Sequence, residues 1–321
     1  MDDRQLLAKL AAGPLSGDAL ARELGHTRAA VWKRIQGLRA AGVAIEGRAG
    51  GGYTLQAPVD LLDPAQIRSA LPATATPLLA DLQVAWSVDS TNSELLRCSA
   101  PEQGSRAVLA ERQTGGRGRR GRPWASPLAA HVYLSVLRGF SGGLSQLGGL
   151  SLVAGVAVAE ALHALGLPQV QLKWPNDLVA GGHKLGGLLV EGGGEFAGPA
   201  RAVIGIGINV HMPPAAAAAI DQPWTDLDQL AGRRVDRNTV AAQVLGALLP
   251  ALEAFDQHGL APFLPRYAAL DSLAGRTVRV QQGEQWQQGT ALGLAEDGAL
   301  RVEIDGREQH VHAGEVSVRA S

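Results

Sequence analysis

Arginine is crowded onto glycine between residues 110 and 124, in AERQTGGRGRRGRPW. Arg112, Arg117, Arg119, Arg120 and Arg122 lie among Gly115, Gly116, Gly118 and Gly121, in a chain whose net charge is −1. Guanidinium groups present rigid forks of donors that match phosphate oxygens. Glycine lets backbone N–H groups converge on an anion. The run is therefore a candidate for closing on an anionic ligand. A solvated basic loop explains the composition as well. A disordered nucleic-acid tail fits less well, because strand-like segments and Trp124 bracket the run.

Three more segments carry compatible chemistry. KWPND places Lys173 and Asp177 on either side of a proline turn after an apolar stretch, with Asn176 between them. An ordinary turn with Trp174 in the core would read the same. HKLGGLLVEGGG brings Lys184 and a glycine pair into a strand, where a lysine at a solvated strand end is the plain alternative. DSTNSELL sets Ser90, Thr91 and Asn92 between a strand and a helix, where at least one of them is expected to act as an N-cap. Each plain reading stands alone; four such segments in one α/β body are less readily coincidental. No nucleophile triad stands out.

These segments need elements to hold them. The 321 residues suggest two or three domains, and 46% hydrophobic residues suffice for a sizeable core. Near-zero net charge confines any nucleic-acid binding to a local patch. The single cysteine, Cys98, excludes an intrachain disulfide and suits a reducing cytosol. The acidic start, MDDRQLLAKL, lacks the apolar core of a signal peptide. The long apolar run LGGLSLVAGVAVAEALHAL is interrupted by Glu160 and His163 and reads as a buried helix, not a membrane span.

In residues 1–62, Leu6, Leu7 and Leu10 mark a first helix. Ser16 caps a second that Gly25 ends, and Thr27 caps a third with Val31, Ile35 and Leu38 at helical spacing. Two strand-like pieces around glycines follow, giving the order of a winged helix-turn-helix. On the third helix Ala29, Lys33 and Gln36 face away from the core, and Arg28 and Arg48 add charge; these five are the candidate DNA-contacting residues. A basic helix that no longer binds DNA is the alternative. Residues 63–270 read as a mixed α/β body. Strands are expected over 84–88, 107–110, 131–137, 170–174, 188–191 and 202–210. Helices are expected over 92–98, 150–165 and 239–258, the last kinked or broken at Pro250. Residues 271–321 alternate short strands with EDG and DG turns and suit a small antiparallel barrel.

The succession DSTN, QTGGRGRRGRPW, KWPND, HKLGGLLVE and GIGINV closely resembles the bacterial biotin protein ligases. The N-terminal winged helix extends the likeness to the bifunctional type, which also represses biotin synthesis genes, and the resemblance spans essentially the whole chain. It implies an α/β fold: a mixed-sheet catalytic domain of the biotin/lipoate ligase type, with an N-terminal winged helix-turn-helix and a C-terminal SH3-like β-barrel. It implies ATP and biotin as substrates, Mg²⁺ with the ATP, and biotinyl-5′-AMP as intermediate. The acyl group then passes to a lysine of biotin carboxyl carrier protein. Further implied partners are operator DNA and a second copy of the chain once the adenylate is bound, all in the cytoplasm and none at a membrane.

By matching positions, Ser90, Thr91, Asn92 and Gln113 belong with the biotin ureido ring, helped by Gly116, Gly118 and the backbone of Arg117. Trp124, Gly187, Leu189, Gly205 and Gly207 supply walls and floor. Arg119 holds the carboxylate and phosphate end with Lys184, while Lys173 adds charge and Asp177 orients or deprotonates the incoming lysine. The nucleotide falls to Arg117, Arg119, Arg122, Asn176, Lys184, Asn209 and Trp224, with a core tryptophan as the alternative reading of Trp224. No cluster of metal ligands is evident. Pro123 stands where relatives often carry a basic residue. A lipoate or octanoate ligase, or a biotin-sensing repressor without ligase activity, are the alternatives.

Overall fold

The computed structural model describes residues 3–48, 52–194, 199–282, 285–313 and 317–320. Residues 49–51, inside the glycine-rich turn expected to form the wing, lie outside them. The chain opens with α1 (Asp3–Ala12), α2 (Gly17–Leu24) and α3 (Arg28–Ala40), then the antiparallel pair β1 (Ile45–Arg48) and β2 (Gly52–Leu55). Local chemistry sets the boundaries. The Ser16 side chain accepts from the Ala19 amide, and Gly25 ends α2 in the left-handed region at φ 63°. Thr27 likewise accepts from the Ala30 amide. Leu6, Leu7 and Leu10 of α1 pack with Leu20 and with Val31, Ile35 and Leu38 of α3.

A connecting helix, α4 (Pro64–Ser69), is capped by Asp63. There follow β3 (Leu79–Ala85), α5 (Thr91–Leu96), β4 (Ser105–Ala110), β5 (Val132–Phe140), α6 (Leu150–Ala164), β6 (Val170–Lys173), β7 (Asp177–Ala180), β8 (His183–Gly194) and β9 (Ala200–Ile208). The strands form one seven-stranded sheet in the order β3-β4-β5-β9-β8-β7-β6, parallel only between β3 and β4. The short helices α7 (Pro214–Ala217) and α8 (Leu227–Ala231) lead into α9 (Arg237–His258) and α10 (Leu264–Leu270).

Side-chain alternation decides which face of this sheet is core and which is site. Ile204, Ile206 and Ile208 of β9 join Leu134 and Val136 of β5 in the main core, which includes the buried faces of α6 and α9. The intervening residues turn the other way. Val203 and Leu137 pack with Leu95 of α5, leaving Gly205, Gly207 and Ser135 on the same side. The apolarity of α6 thus has its explanation in burial, with eleven of its residues enclosed.

Sequence and structure differ in several places. The strand expected at 84–88 begins five residues earlier and ends at Ala85, and β8 begins at His183 rather than 188. β7, α7, α8 and α10 were not expected; at four to seven residues each is too short for its periodicity to stand out. Helix α9 runs through Pro250 unbroken. Proline removes one backbone hydrogen bond, while Leu248, Leu249, Ala251 and Leu252, buried on both sides of it, keep the helix in register with the core.

The C-terminal strands are β10 (Thr277–Gln282), β11 (Gln285–Leu294), β12 (Leu300–Ile304), β13 (Arg307–Val311) and β14 (Ser317–Ala320). They form an antiparallel sheet in the order β13-β12-β11-β10-β14. This unit is pinned to the central one: Trp174 Nε1 donates to the Gly298 carbonyl at 3.1 Å.

Candidate functional site

Two strips of the central sheet form a floor. Asp177 stands opposite Gly187, Gly187 opposite Gly207, and Gly207 opposite Tyr133. Beside this row, Leu189 faces Gly205 and Gly205 faces Ser135. The glycines are required by close approach. A Cβ at Gly207 would lie 2.8 Å from the Trp124 ring, and one at Gly205 would overlap Asn92 Oδ1. The tryptophan of the arginine loop thus lies over the glycine floor.

Helix α5 opens against that floor. Ser90, Thr91 and Asn92 are all buried. Ser90 occupies the N-cap position, yet its side chain makes no capping bond. Gln113 Oε1 accepts from both the Thr91 amide (2.8 Å) and its hydroxyl (3.1 Å). The Ser135 hydroxyl donates to Asn92 Oδ1 at 2.6 Å and sits 2.7 Å from Thr91 Oγ1. Asn92 Nδ2 donates to Glu191 Oε2 at 2.7 Å and to the Leu189 carbonyl at 3.2 Å.

The arginine run is a compact hairpin. Trp124 N donates to Gly116 O, and Gly118 N to Arg122 O, at 2.9 and 2.8 Å. Arg120 (φ 57°) and Gly121 (φ 69°) turn the tip in the left-handed region. The arginines play different parts. The Arg117 guanidinium donates to both carboxylate oxygens of Glu191, at 3.0 and 3.1 Å, and to Ser93 Oγ at 2.8 Å. Arg119 is partly buried, at the tip, with Nη1 3.5 Å from Asn176 Oδ1. Burial lowers its pKa; the Arg120 charge adds to the effect and Asp177 opposes it. Arg122 is exposed.

Lys184 Nζ donates to Asp177 Oδ1 at 2.7 Å and stands 5.7 Å from the Trp124 ring centre. Lys173 is paired with Asp177 across β6 and β7. Asn176 Nδ2 donates to the Leu188 carbonyl, holding the KWPND turn on β8. Trp224 is half-buried, so it is not a core residue. Its segment runs beside Lys184, whose N–H donates to Pro223 O and whose carbonyl accepts from Thr225 N. Asn209 is buried and donates to the Thr225 carbonyl at 3.1 Å, which gives it a structural part in holding that segment. Thus Thr91, Asn92, Gln113 and Trp124 surround the floor, and Arg119, Asn176, Asp177 and Lys184 gather at one end of it.

The patterning had not singled out Ser135 and Glu191. Ser135 lies between Leu134 and Val136 and Glu191 between Val190 and Gly192, and only the alternation of β5 and β8 would have put them on the face of Gly205. Another omission is Trp32. It is 58% exposed on α3, three residues after Ala29 and four before Gln36. Arg28, Ala29 and Lys33 are exposed and Gln36 is half-buried, so this face of α3 points outward. Arg28 and Arg48 also make exposed ion pairs with Asp18 and Glu46, whereas Arg34 and Arg39 are turned inward to Asp3 and the Ile45 carbonyl.

A buried polar knot joins the first connecting segment to the central unit. Arg237, fully buried, donates to Glu111 Oε2 at 2.7 Å, to the His131 carbonyl and to the Asp60 carbonyl. Glu111 Oε1 accepts from Leu62 N at 2.7 Å. Burial pushes the His131 imidazole down to about 3, with the Arg237 and His211 charges adding to the effect. For Asp60 burial acts to raise the pKa, but the His211 hydrogen bond and the Arg237 charge override it and hold the carboxyl well below its usual range. Closer to the loop, Leu128 and Ala129 pack into the N-terminal core, and Leu128 N donates to Ala41 O.

Residues 84–209 match the Biotin/lipoate A/B protein ligase family, 3–54 an HTH domain, and 274–319 the Biotin protein ligase C terminal domain. The bifunctional ligase/repressor BirA of Escherichia coli is 41% identical over 318 residues, covering 99% of this chain and 97% of that one. The protein of the same description from Bacillus subtilis is 30% identical, covering 95% and 94%. Among solved structures, the Aquifex aeolicus biotin protein ligase in complex with biotin and ATP is 29% identical, with a TM-score of 0.64. It covers 75% of this chain, and all of the Aquifex chain is matched. The chain belongs to the family of bifunctional biotin protein ligases and repressors.

Proposed function

We infer that the protein activates biotin with ATP and transfers it to a lysine of biotin carboxyl carrier protein, and that it represses biotin synthesis genes with biotinyl-5′-AMP as corepressor. The observation that carries the ligase reading is the placement of the Arg119, Asn176, Asp177 and Lys184 cluster at the end of a glycine floor covered by Trp124. In the first step a biotin carboxylate oxygen attacks the α-phosphorus and pyrophosphate leaves. Two anions must meet, so Lys184 and Arg119 stabilise the charge that gathers on the phosphoryl oxygens. In the second step the carrier lysine attacks the acyl carbon and AMP leaves.

Asp177 is assigned to receive the proton of that lysine. Its carboxylate is paired with Lys184; when Lys184 turns to the phosphate, Asp177 can accept from the incoming amine. The buried Thr91–Gln113 pair and Ser90 are assigned to the ureido ring, and half-buried Trp224 beside Lys184 to the adenine. No group of three or more His, Cys, Asp or Glu side chains suited to a metal exists among the described residues. Mg²⁺ accordingly belongs to the proposal as the counter-ion that arrives on ATP phosphates.

Three functional units are proposed: 1–62 for operator DNA, 63–270 for catalysis and 271–321 as the C-terminal barrel. DNA binding falls to Arg28, Ala29, Lys33, Gln36 and Arg48, dimerisation follows adenylate formation, and the cytoplasm is where ATP, carrier protein and operator are met together. Incubation of the full chain with ATP, labelled biotin and a carrier domain tests the reading, with lipoate and octanoate as parallel substrates. ATP-dependent label on the carrier lysine from biotin alone is expected. Labelling by lipoate or octanoate in its place, or tight biotin binding without transfer, would overturn it.

A further inference from the structure

The arginine loop divides into two halves with different work, and the division shows in its partners. Gln113 and Arg117 bracket the first half. Gln113 is held by the Thr91 amide and hydroxyl. Arg117 is held by Nη2, which donates to both Glu191 oxygens at 3.0 and 3.1 Å, and by Nη1 on Ser93. Between these two anchors runs an unbroken polar chain on the pocket face of the floor. Thr91 meets the fully buried Ser135, Ser135 donates to Asn92, and Asn92 donates to the carboxylate that holds Arg117. The chain ties α5, β5 and β8 to both ends of the 113–117 segment. Arg119 and Arg122 lie beyond it, at and after the tip.

A guanidinium whose two terminal nitrogens are both engaged, Nη2 by the Glu191 carboxylate and Nη1 by the Ser93 hydroxyl, has its charge paired and those donors turned to the protein, so it is a poor phosphate ligand. We propose that Arg117 is the anchor of the loop and not a ligand of the nucleotide, and that Glu191 and Ser135 are positioning residues that shape the pocket for the cyclic urea of biotin. The proposal rests on the reading of this site as a biotin and ATP pocket. It removes the Arg117 side chain from the nucleotide, where the family resemblance placed it as well as with biotin, and it separates the ring subsite from the phosphate subsite. The Arg117 side chain tethers this stretch of the loop to β8 and α5. Loss of Glu191 therefore frees the ring subsite while Lys184 and Arg119 stay in place.

The test measures pyrophosphate release by the full chain with biotin and ATP varied separately, together with equilibrium dialysis of biotin alone. Glu191→Gln and Ser135→Ala are expected to raise the KM and the Kd for biotin about tenfold, with kcat at saturating biotin and the KM for ATP held within about twofold. Glu191→Asp should recover part of the loss. The double variant Arg117→Gln with Glu191→Gln should be no worse than the poorer single variant, because both remove one interaction. Two results would overturn the proposal: a KM for ATP that rises in Arg117→Gln while biotin affinity stays, or strictly additive losses in the double variant. Should Glu191→Gln fail to fold, Ser135→Ala and Glu191→Asp carry the same comparison. A wild-type chain that binds no biotin would instead overturn the reading of the site itself.

Discussion

At the scale of single residues, charge and burial set the expectations. Lys184 lies on a strand end with its ammonium on Asp177, a half-buried pair in which each side chain keeps contact with solvent, so Asp177 is not sealed from water when Lys184 is removed. Lys184→Ala should lower kcat for adenylation at least about a hundredfold while the melting temperature stays near wild type; wild-type pyrophosphate release would remove Lys184 from the chemistry. His131 gives a pH prediction. Burial holds its folded pKa near 3, against an ordinary 6.5. The unfolded chain therefore takes up a proton below 6.5 that the folded chain refuses until about 3. Stability is complete above pH 6.5 and falls through that window by about 1.4 kcal/mol per pH unit. Urea unfolding should show a loss of about 2 kcal/mol between pH 7 and 5. In His131→Asn, whose amide oxygen can still accept from Val210 N, the slope should flatten; an unchanged slope would assign the acid sensitivity elsewhere. Residues such as Thr91, Gln113, Lys184 and Asp177 were legible because unusual types stood together in short motifs. Glu111 and Arg237 were not, since 126 positions separate partners whose meeting only the finished fold decides.

At the scale of elements, the sequence was clearest where a cap and a period agreed. Ser16 and Thr27 ended up as N-caps because each offers its oxygen to an amide three residues on, and the leucines behind them set the buried face. It was weakest where an element is too short for its pattern to stand out. β7, four residues beside KWPND, exists because β6 and β8 pair with it on both sides, a fact absent from its own residues. Pro250 did not bring the break that was one of its two expected effects: the packing of α9 on the core carries the helix through it. Cap chemistry also supplies a test for α3. Thr27→Ala should cost about 1 kcal/mol, confined to the first turn that carries Arg28 and Ala29. Operator affinity measured by fluorescence anisotropy should fall while the KM for biotin is unchanged. A parallel loss in both would mean that α3 helps to build the ligase site.

For the whole molecule, the question is how a filled pocket is felt at α3. The path is short. The loop leaves the pocket at Trp124, and four residues later Leu128 is buried in the N-terminal core and bonded to Ala41 at the end of α3. The segment between Trp124 and Leu128 therefore belongs to both units, and Glu111, at the entry of the same loop, is tied through Leu62 and Arg237 to the connecting segment. A ligand that draws the loop closed pulls on both attachments. One recognition helix reads one half-site, so useful operator affinity needs two copies of the chain, spaced by helical turns of DNA. If the adenylate favours the dimer-competent arrangement, ligand binding and dimerisation are linked, and each strengthens the other by the same factor. Carrier protein then acts against repression by consuming the adenylate. Sedimentation with and without biotin plus ATP, run beside operator binding, checks this. The sedimentation constant should rise and operator affinity should increase together when both substrates are present, and excess carrier domain should reverse both. Equal self-association in the two conditions would leave a ligase with an appended DNA-binding unit and no biotin-dependent switch.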